Sequence, residues 1–302
     1  MSDKKEKPQT AFDVENMFCK KIDIHTHIMP TRLSVEDRIR ANELLGVSKC
    51  VLLTSVAESS SAIGGEPFTG DDAYEACRSY PDIFAWLCNM CPDGTEKTDA
   101  KLKKYHDMGA SGVGEFACRL LFDSCQMDRF FSCMEELGMV FLFHMAPQDS
   151  PKYYGIVDGP RLPGLESALK KHPNMIFIGH SQPFWFEISR TDETDPDVRN
   201  SFPQGRIRDG RITQLMREYP NLYCDLSANS GGNAMMRDPE FAFSFMEEFS
   251  DRLMFGTDWC GGPFRYGLSS WLDFMMMRGN ISRETYMKIC YENAERIFWR
   301  NK

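Results

Sequence analysis

Apolar runs of strand length recur along the chain, at residues 22–24, 50–53, 83–87, 112–114, 140–143, 175–178, 222–224 and 253–255. Most are continuous rather than alternating, as expected of strands covered on both faces. Between them apolar positions return at helical spacing, which predicts helices over 34–45, 98–108, 127–137, 165–171, 212–218, 239–249, 269–278 and 282–299. Ser34-Val35-Glu36-Asp37 reads as a capping box, Gly46 as the stop of that first helix, and Thr98 as the cap of the second. Gly or Pro (Gly46, Pro81, Gly109, Gly138, Pro173, Pro220) stands just ahead of most later strands. Strands alternating with helices in this way predict an α/β fold with a parallel sheet closed into a (β/α)8 TIM barrel. The barrel is expected to be a single domain over 19–302, preceded by a flexible arm over 1–18.

Two connections exceed what packing needs, 55–72 and 181–210, and either could serve as a lid or substrate wall. No G-x-G-x-x-G or G-x-x-x-x-G-K-[ST] follows a strand, which removes dinucleotide and P-loop readings. A hydrophobic share of 42% over 302 residues supports a large core, and no apolar run reaches membrane-spanning length. The net charge of −9 counts against nucleic acid and anionic lipid as partners. A charged start without an apolar stretch, and eleven cysteines scattered through apolar runs, predict a cytoplasmic protein with free thiols. Cys88 and Cys91 form a C-x-x-C, but no second pair at zinc-ribbon spacing accompanies them.

The chemistry lies at the strand ends. His25-Thr26-His27 closes the first strand, Thr54 the second, Asn89 the third, Glu115 the fourth, His144 the fifth and His180 the sixth; Asp225 with Ser227 and Asp258 close the last two. In a barrel these ends meet at one mouth. His-x-His on a strand puts both imidazoles on one face. With further imidazoles and carboxylates they suit zinc or another borderline divalent metal, one ion or two, with a position open to water.

These pieces also resemble a known family. Ile22-Asp23-Ile24-His25-Thr26-His27, Phe143-His144, Ile178-Gly179-His180, the run from Leu253 to Asp258 and Asn293-Ala294-Glu295-Arg296-Ile297-Phe298 are similar to the amidohydrolase superfamily, in the branch of aminocarboxymuconate semialdehyde decarboxylase and related hydrolases. The resemblance implies His25, His27 and Asp258 as metal ligands and His144 as a ligand of the same or a second metal. It implies His180 as a ligand or a free acid/base, and Glu115 as a bridging carboxylate, since no carboxylatable Lys ends the fourth strand. It further implies hydrolysis of an ester, lactone or amide of a small, carboxylate-bearing substrate, with metal-activated hydroxide as nucleophile and Asp258 and His180 as catalytic groups. The alternative within the branch is non-oxidative decarboxylation. By position alone, Arg119, Gln182, Trp185, Asn229 and Arg265 are candidate substrate contacts. A barrel of this size is compatible with a homo-oligomer, although no apolar stripe demands one.

Overall fold

A computed structural model of the chain describes residues 18–29, 34–55, 67–261 and 266–299. Its strands are β1 (Lys21–His27), β2 (Val47–Leu53), β3 (Phe84–Leu87), β4 (Gly112–Phe116), β5 (Val140–Pro147), β6 (Ile156–Asp158), β7 (Phe177–His180), β8 (Leu222–Asp225) and β9 (Leu253–Met254). They pair in parallel in two runs, β1-β2-β3 and β4-β5-β7-β8-β9. Two seams close the ring. Between β3 and β4 the Cys88 N–H donates to Gly112 O at 3.0 Å and the Gly114 N–H to Cys88 O at 2.8 Å. Between the end of β9 and β1 the Ile24 N–H donates to Phe255 O (3.1 Å), the His27 N–H to Trp259 O (3.0 Å) and the Asp258 N–H to His25 O (2.9 Å). The result is the expected eight-stranded barrel. The short β6, which the apolar pattern does not reveal, stands outside the ring and pairs with β5.

The described helices are α1 (Val35–Leu45), α2 (Gly70–Ser79), α3 (Glu96–Asp107), α4 (Cys125–Glu136), α5 (Pro163–Lys171), α6 (Gln182–Phe186), α7 (Pro196–Arg199), α8 (Arg211–Glu218), α9 (Ala228–Met236), α10 (Pro239–Glu248), α11 (Gly267–Met277), α12 (Arg283–Met287) and α13 (Asn293–Phe298). The capping box of α1 is formed in both directions, Ser34 Oγ accepting from the Asp37 N–H at 3.1 Å and the Asp37 carboxylate from the Ser34 N–H at 2.9 Å. Gly46, at φ 67°, ends this helix in the left-handed region that a side chain would disfavour.

Several expectations need correction. Thr95, not Thr98, caps α3; Thr98 is buried and hydrogen-bonds Asp93. The end of the expected loop 55–72 is the start of α2, announced by a Thr69–Asp72 capping box in a segment too polar for its helical period to stand out. The stretch 229–233 is not a turn but the first part of α9. Gly231 permits this, because a Cβ there would lie 2.4 Å from the Leu226 backbone. The final helix is interrupted by a widened turn over Lys288–Glu292. Cys91 and Cys118 are joined in a disulfide, Cα atoms 5.8 Å apart, so the expectation of free thiols fails at these two; Cys88 stays a buried free thiol. Neighbouring strands carry the two cysteines to one place across 27 residues of sequence. The predicted arm lies outside the described residues except Phe18, which packs on the core. Residues 56–66 of the first long loop, and Arg265, also lie outside them.

Strand residues divide between two cores by parity. Phe141, Phe143, Phe177, Cys224 and Leu253 belong to the large layer between strands and helices. Val140, Leu142, Ile178, Tyr223 and Met254 fill the barrel interior with Ile22, Ile24, Val51 and Leu53. Ala294, Phe298 and Trp299 of the C-terminal segment pack against the same interior cluster and plug it from below.

Candidate metal centre

Continuing the interior parity upward, β5 passes from Leu142 to His144, β7 from Ile178 to His180, and β8 from Tyr223 to Asp225. β1 does not keep step: Ile24 lies in the interior core, yet so does the ring of the adjacent His25 face the centre. A register shift between Asp23 and Thr26 supplies the extra residue, the usual way a bulge re-aims a side chain. Asp23 fastens this stretch. Its buried carboxylate accepts from the N–H of His25 (3.1 Å), Arg38 Nη2 (2.7 Å), and the N–H (2.8 Å) and hydroxyl (2.6 Å) of Thr257. Asp258, beyond β9, stands at φ 57°, and Ser181 and Ala228, just past two other strands, at φ 90° and 57°. Left-handed non-glycine residues gathered at one mouth mark a functional rim.

All six residues singled out as metal candidates come together here. His25 Nε2 and His27 Nε2 are 3.1 Å apart. Asp258 Oδ1 lies 3.4 Å from the first and 3.3 Å from the second; Glu115 Oε2 lies 3.7 and 3.5 Å away. The other Glu115 oxygen accepts from His144 Nδ1 at 2.7 Å and is 3.7 Å from His180 Nε2. Two overlapping donor triads result, His25–His27–Asp258 and His25–Glu115–His180, each within 4.8 Å.

Asp225, noticed at its strand end but not included among the candidates, organises the layer beneath. Its Oδ2 accepts from His25 Nδ1 (2.6 Å), His180 Nδ1 (3.0 Å) and the Ser227 hydroxyl (2.6 Å). Both rings thus turn Nε2 toward the centre, as a carboxylate behind a metal-binding imidazole commonly ensures. The Asn89 amide donates to Glu115 O at 2.5 Å, and the Asn89 N–H to Thr54 Oγ1 at 2.7 Å, so two further strand ends steady Glu115. Over the opening the half-exposed Tyr154 ring lies on His144, centroids 4.1 Å apart. A tyrosine in a loop carries no sequence signal for this.

The electrostatics fit a cation. Burial by itself lowers the pKa of His25, but the charges of Asp258 and Asp225 outweigh it and lift the pKa well above the usual value. For His27 burial is overcome by hydrogen bonds to Asp258 and Glu115, and the pKa rises to about 9. Burial favours neutral Glu115 and Asp225, yet His144 holds the former, and His25 with His180 the latter, well below the ordinary carboxylate range. Two proton-holding imidazole nitrogens at 3.1 Å repel each other among ionised carboxylates, and a divalent ion that displaces those protons relieves both conditions. The donors, imidazole and carboxylate, suit zinc and manganese alike.

The substrate-contact candidates fare differently. Arg119 is exposed and donates to Tyr153 O at 2.6 Å, pairing with neither Glu115 nor Asp123. Gln182 begins α6 and is partly exposed. Trp185 is buried, its Nε1 donating to Asp225 O at 3.1 Å, so it braces the layer under the imidazoles. Asn229 is exposed in the first turn of α9. Among the described residues no helix is long and apolar enough to cross a membrane.

Comparison with known proteins places these features in context. A family profile described as amidohydrolase matches residues 22–300. A search of curated proteins gave no match. Among solved structures, a 2,6-dihydroxybenzoate decarboxylase from Rhizobium is similar in fold (TM-score 0.56, 18% identity, 94% of this chain and 100% of that one). A dihydroxybenzoic acid decarboxylase from Polaromonas sp. JS666, with bound manganese and 2-nitroresorcinol, has TM-score 0.58, 17% identity and coverage of 94% and 98%. A probable 2-pyrone-4,6-dicarboxylic acid hydrolase from Acinetobacter baumannii, with citric acid bound, has TM-score 0.53, 15% identity and coverage of 92% and 99%.

Proposed function

The chain belongs to the amidohydrolase family, and from that premise we propose that it hydrolyses an ester, lactone or amide bond of a small carboxylate-bearing substrate. The observation that carries this reading is Glu115, whose two oxygens face different partners, one toward His25 and His27 and the other toward His144 and His180. His25, His27 and Asp258 would hold one divalent metal, zinc in our reading, and Glu115 with His144 and His180 would complete the set or hold a second. Such an ion makes water a nucleophile near neutral pH and polarises a carbonyl.

The protein's own groups supply the proton transfers. Asp258 accepts a proton from the attacking water and returns it to the leaving group; its low pKa keeps it ionised and ready to accept. His180, held by Asp225 through Nδ1, presents Nε2 to the developing oxyanion. Trp185 and Ser227 keep Asp225 in place by bonds to its carbonyl and carboxylate.

Non-oxidative decarboxylation is the second reading, favoured by the decarboxylases among the similar folds. There His180 would deliver a proton to carbon. Protein freed of metal and reloaded with zinc or manganese, screened against lactones, esters, amides and aromatic carboxylates, separates the two. Hydrolysis is expected, with loss of at least about 10³-fold in turnover for Asp258→Asn that still binds metal. Release of carbon dioxide, or ordinary turnover by that variant, would overturn the proposal.

A further inference from the structure

Beside the centre, with Tyr266 as part of its wall, lies a cavity of about 530 Å3 lined by Phe202, Gln204, Asn229, Asn233, Arg237 and Tyr266 among others. The Tyr266 hydroxyl donates to the carbonyls of Leu226 and Ala228, which flank Ser227, so this wall is tied to the residues beneath the imidazoles. Asn229, Asn233 and Arg237 recur every four residues and share one face of α9 and its C-cap. Side chains on a helix lean toward its N-terminus, which turns the guanidinium back along this face.

Arg237 is the anomaly. Its Nε and Nη2 are buried and have no hydrogen-bond partner among the described residues. The adjacent Asp238 is committed elsewhere: its Oδ2 accepts from the Ile207 N–H at 2.7 Å, and its Oδ1 lies 3.6 Å from Arg206 Nη1. The buried arginines Arg38 and Arg199 each meet a carboxylate, Asp23 and Glu187. Burial pulls the Arg237 pKa below its ordinary value, though a guanidinium keeps its charge throughout the physiological range. A desolvated cation with two idle donors on the wall of a cavity is matched by an anion with two acceptor oxygens.

We infer that this cavity is a subsite for a carboxylate on the substrate, bound by Arg237 along the Asn229–Asn233 face of α9, remote from the bond that is broken. The inference deepens the hydrolase reading and rests on it for the word substrate. Asn229 and Arg237 are about 12 Å apart along the helix axis. The substrate class is therefore an elongated ester, lactone or amide with its charge at the far end, rather than a compact aromatic acid.

Calorimetric titration of the metal-free, full-length chain with adipate and with neutral adipamide tests the subsite apart from catalysis. Adipate is expected to bind at millimolar concentration or better, and adipamide at least about tenfold more weakly. Arg237→Gln should weaken adipate by a similar factor, about tenfold or more, and Arg237→Lys by less, because the charge stays while the fork is lost. Asn229→Leu, at an exposed position that folding tolerates, should weaken it several-fold by narrowing the cavity. Equal affinity for the diamide, or adipate binding untouched by both Arg237→Gln and Asn229→Leu, would overturn the subsite. Arg237-dependent binding in a protein that hydrolyses nothing would leave the subsite standing and remove the hydrolase reading.

Discussion

The barrel interior has two storeys built from the same strands, and they obey opposite energetics. In the lower one Val140, Leu142, Ile178, Tyr223 and Met254 pack with Phe298 and Trp299, and each fully buried aliphatic side chain contributes roughly 1.5–3 kcal/mol. Two residues further along, His144, His180 and Asp225 sit at equal or nearly equal depth, joined by His25, Glu115 and Asp258. Buried ion pairs of this kind recover little more than their desolvation, so the upper storey adds little stability. The lower storey holds the fold, and the upper one concentrates charge where a cation and a reacting group are to be bound.

The largest expected effect that would test this division comes from below. Leu142→Ala should lower unfolding free energy by about 2–5 kcal/mol in denaturant titrations. Metal bound per folded chain should stay the same; metal loss at unchanged stability would show that the storeys are not separable. Next comes Asp225→Asn, which keeps the shape but removes the charge behind His25 and His180. Metal affinity measured by competition with a chelator should fall about 10- to 100-fold. Denaturant stability of the metal-free chain should change far less than in Leu142→Ala, and the reverse order would contradict the comparison.

The smallest effect is a slope with pH. His27 holds a proton below about 9 in the metal-free protein, and metal binding must expel it. Affinity should therefore climb by about tenfold per pH unit for each proton displaced, then level off above that pKa. The metal-free fold runs the other way. Because the folded pKa of His27 is raised, its stabilisation is complete below the unfolded value of 6.5 and is lost as pH rises through 9. A metal affinity flat from neutrality upward would mean that His27 is not displaced.

Much of this was legible in one dimension. Continuous apolar runs reported the strands because both faces of each are covered, and the polar residue closing each run reported the mouth. Asp225 was visible in the same way but ambiguous, since an aspartate after a strand is also ordinary turn chemistry. α2 and α9 were not legible: one is mostly polar, and the other depends on glycines that let its backbone approach Leu226. The pairing of Cys91 with Cys118 followed from strand adjacency, which no spacing encodes.

The order of polar and apolar residues along the chain was enough to specify the barrel and the six strand-end groups, because hydrophobic burial acts through local periodicity. Which nitrogen of each imidazole faces inward, which oxygen of Glu115 meets which partner, and why Arg237 is buried beside a cavity without an anion partner among the described residues were decided only in three dimensions. Hydrogen bonds and charges act over a few ångströms, and closing the ring brings together residues such as His25 and Asp225 that lie 200 positions apart.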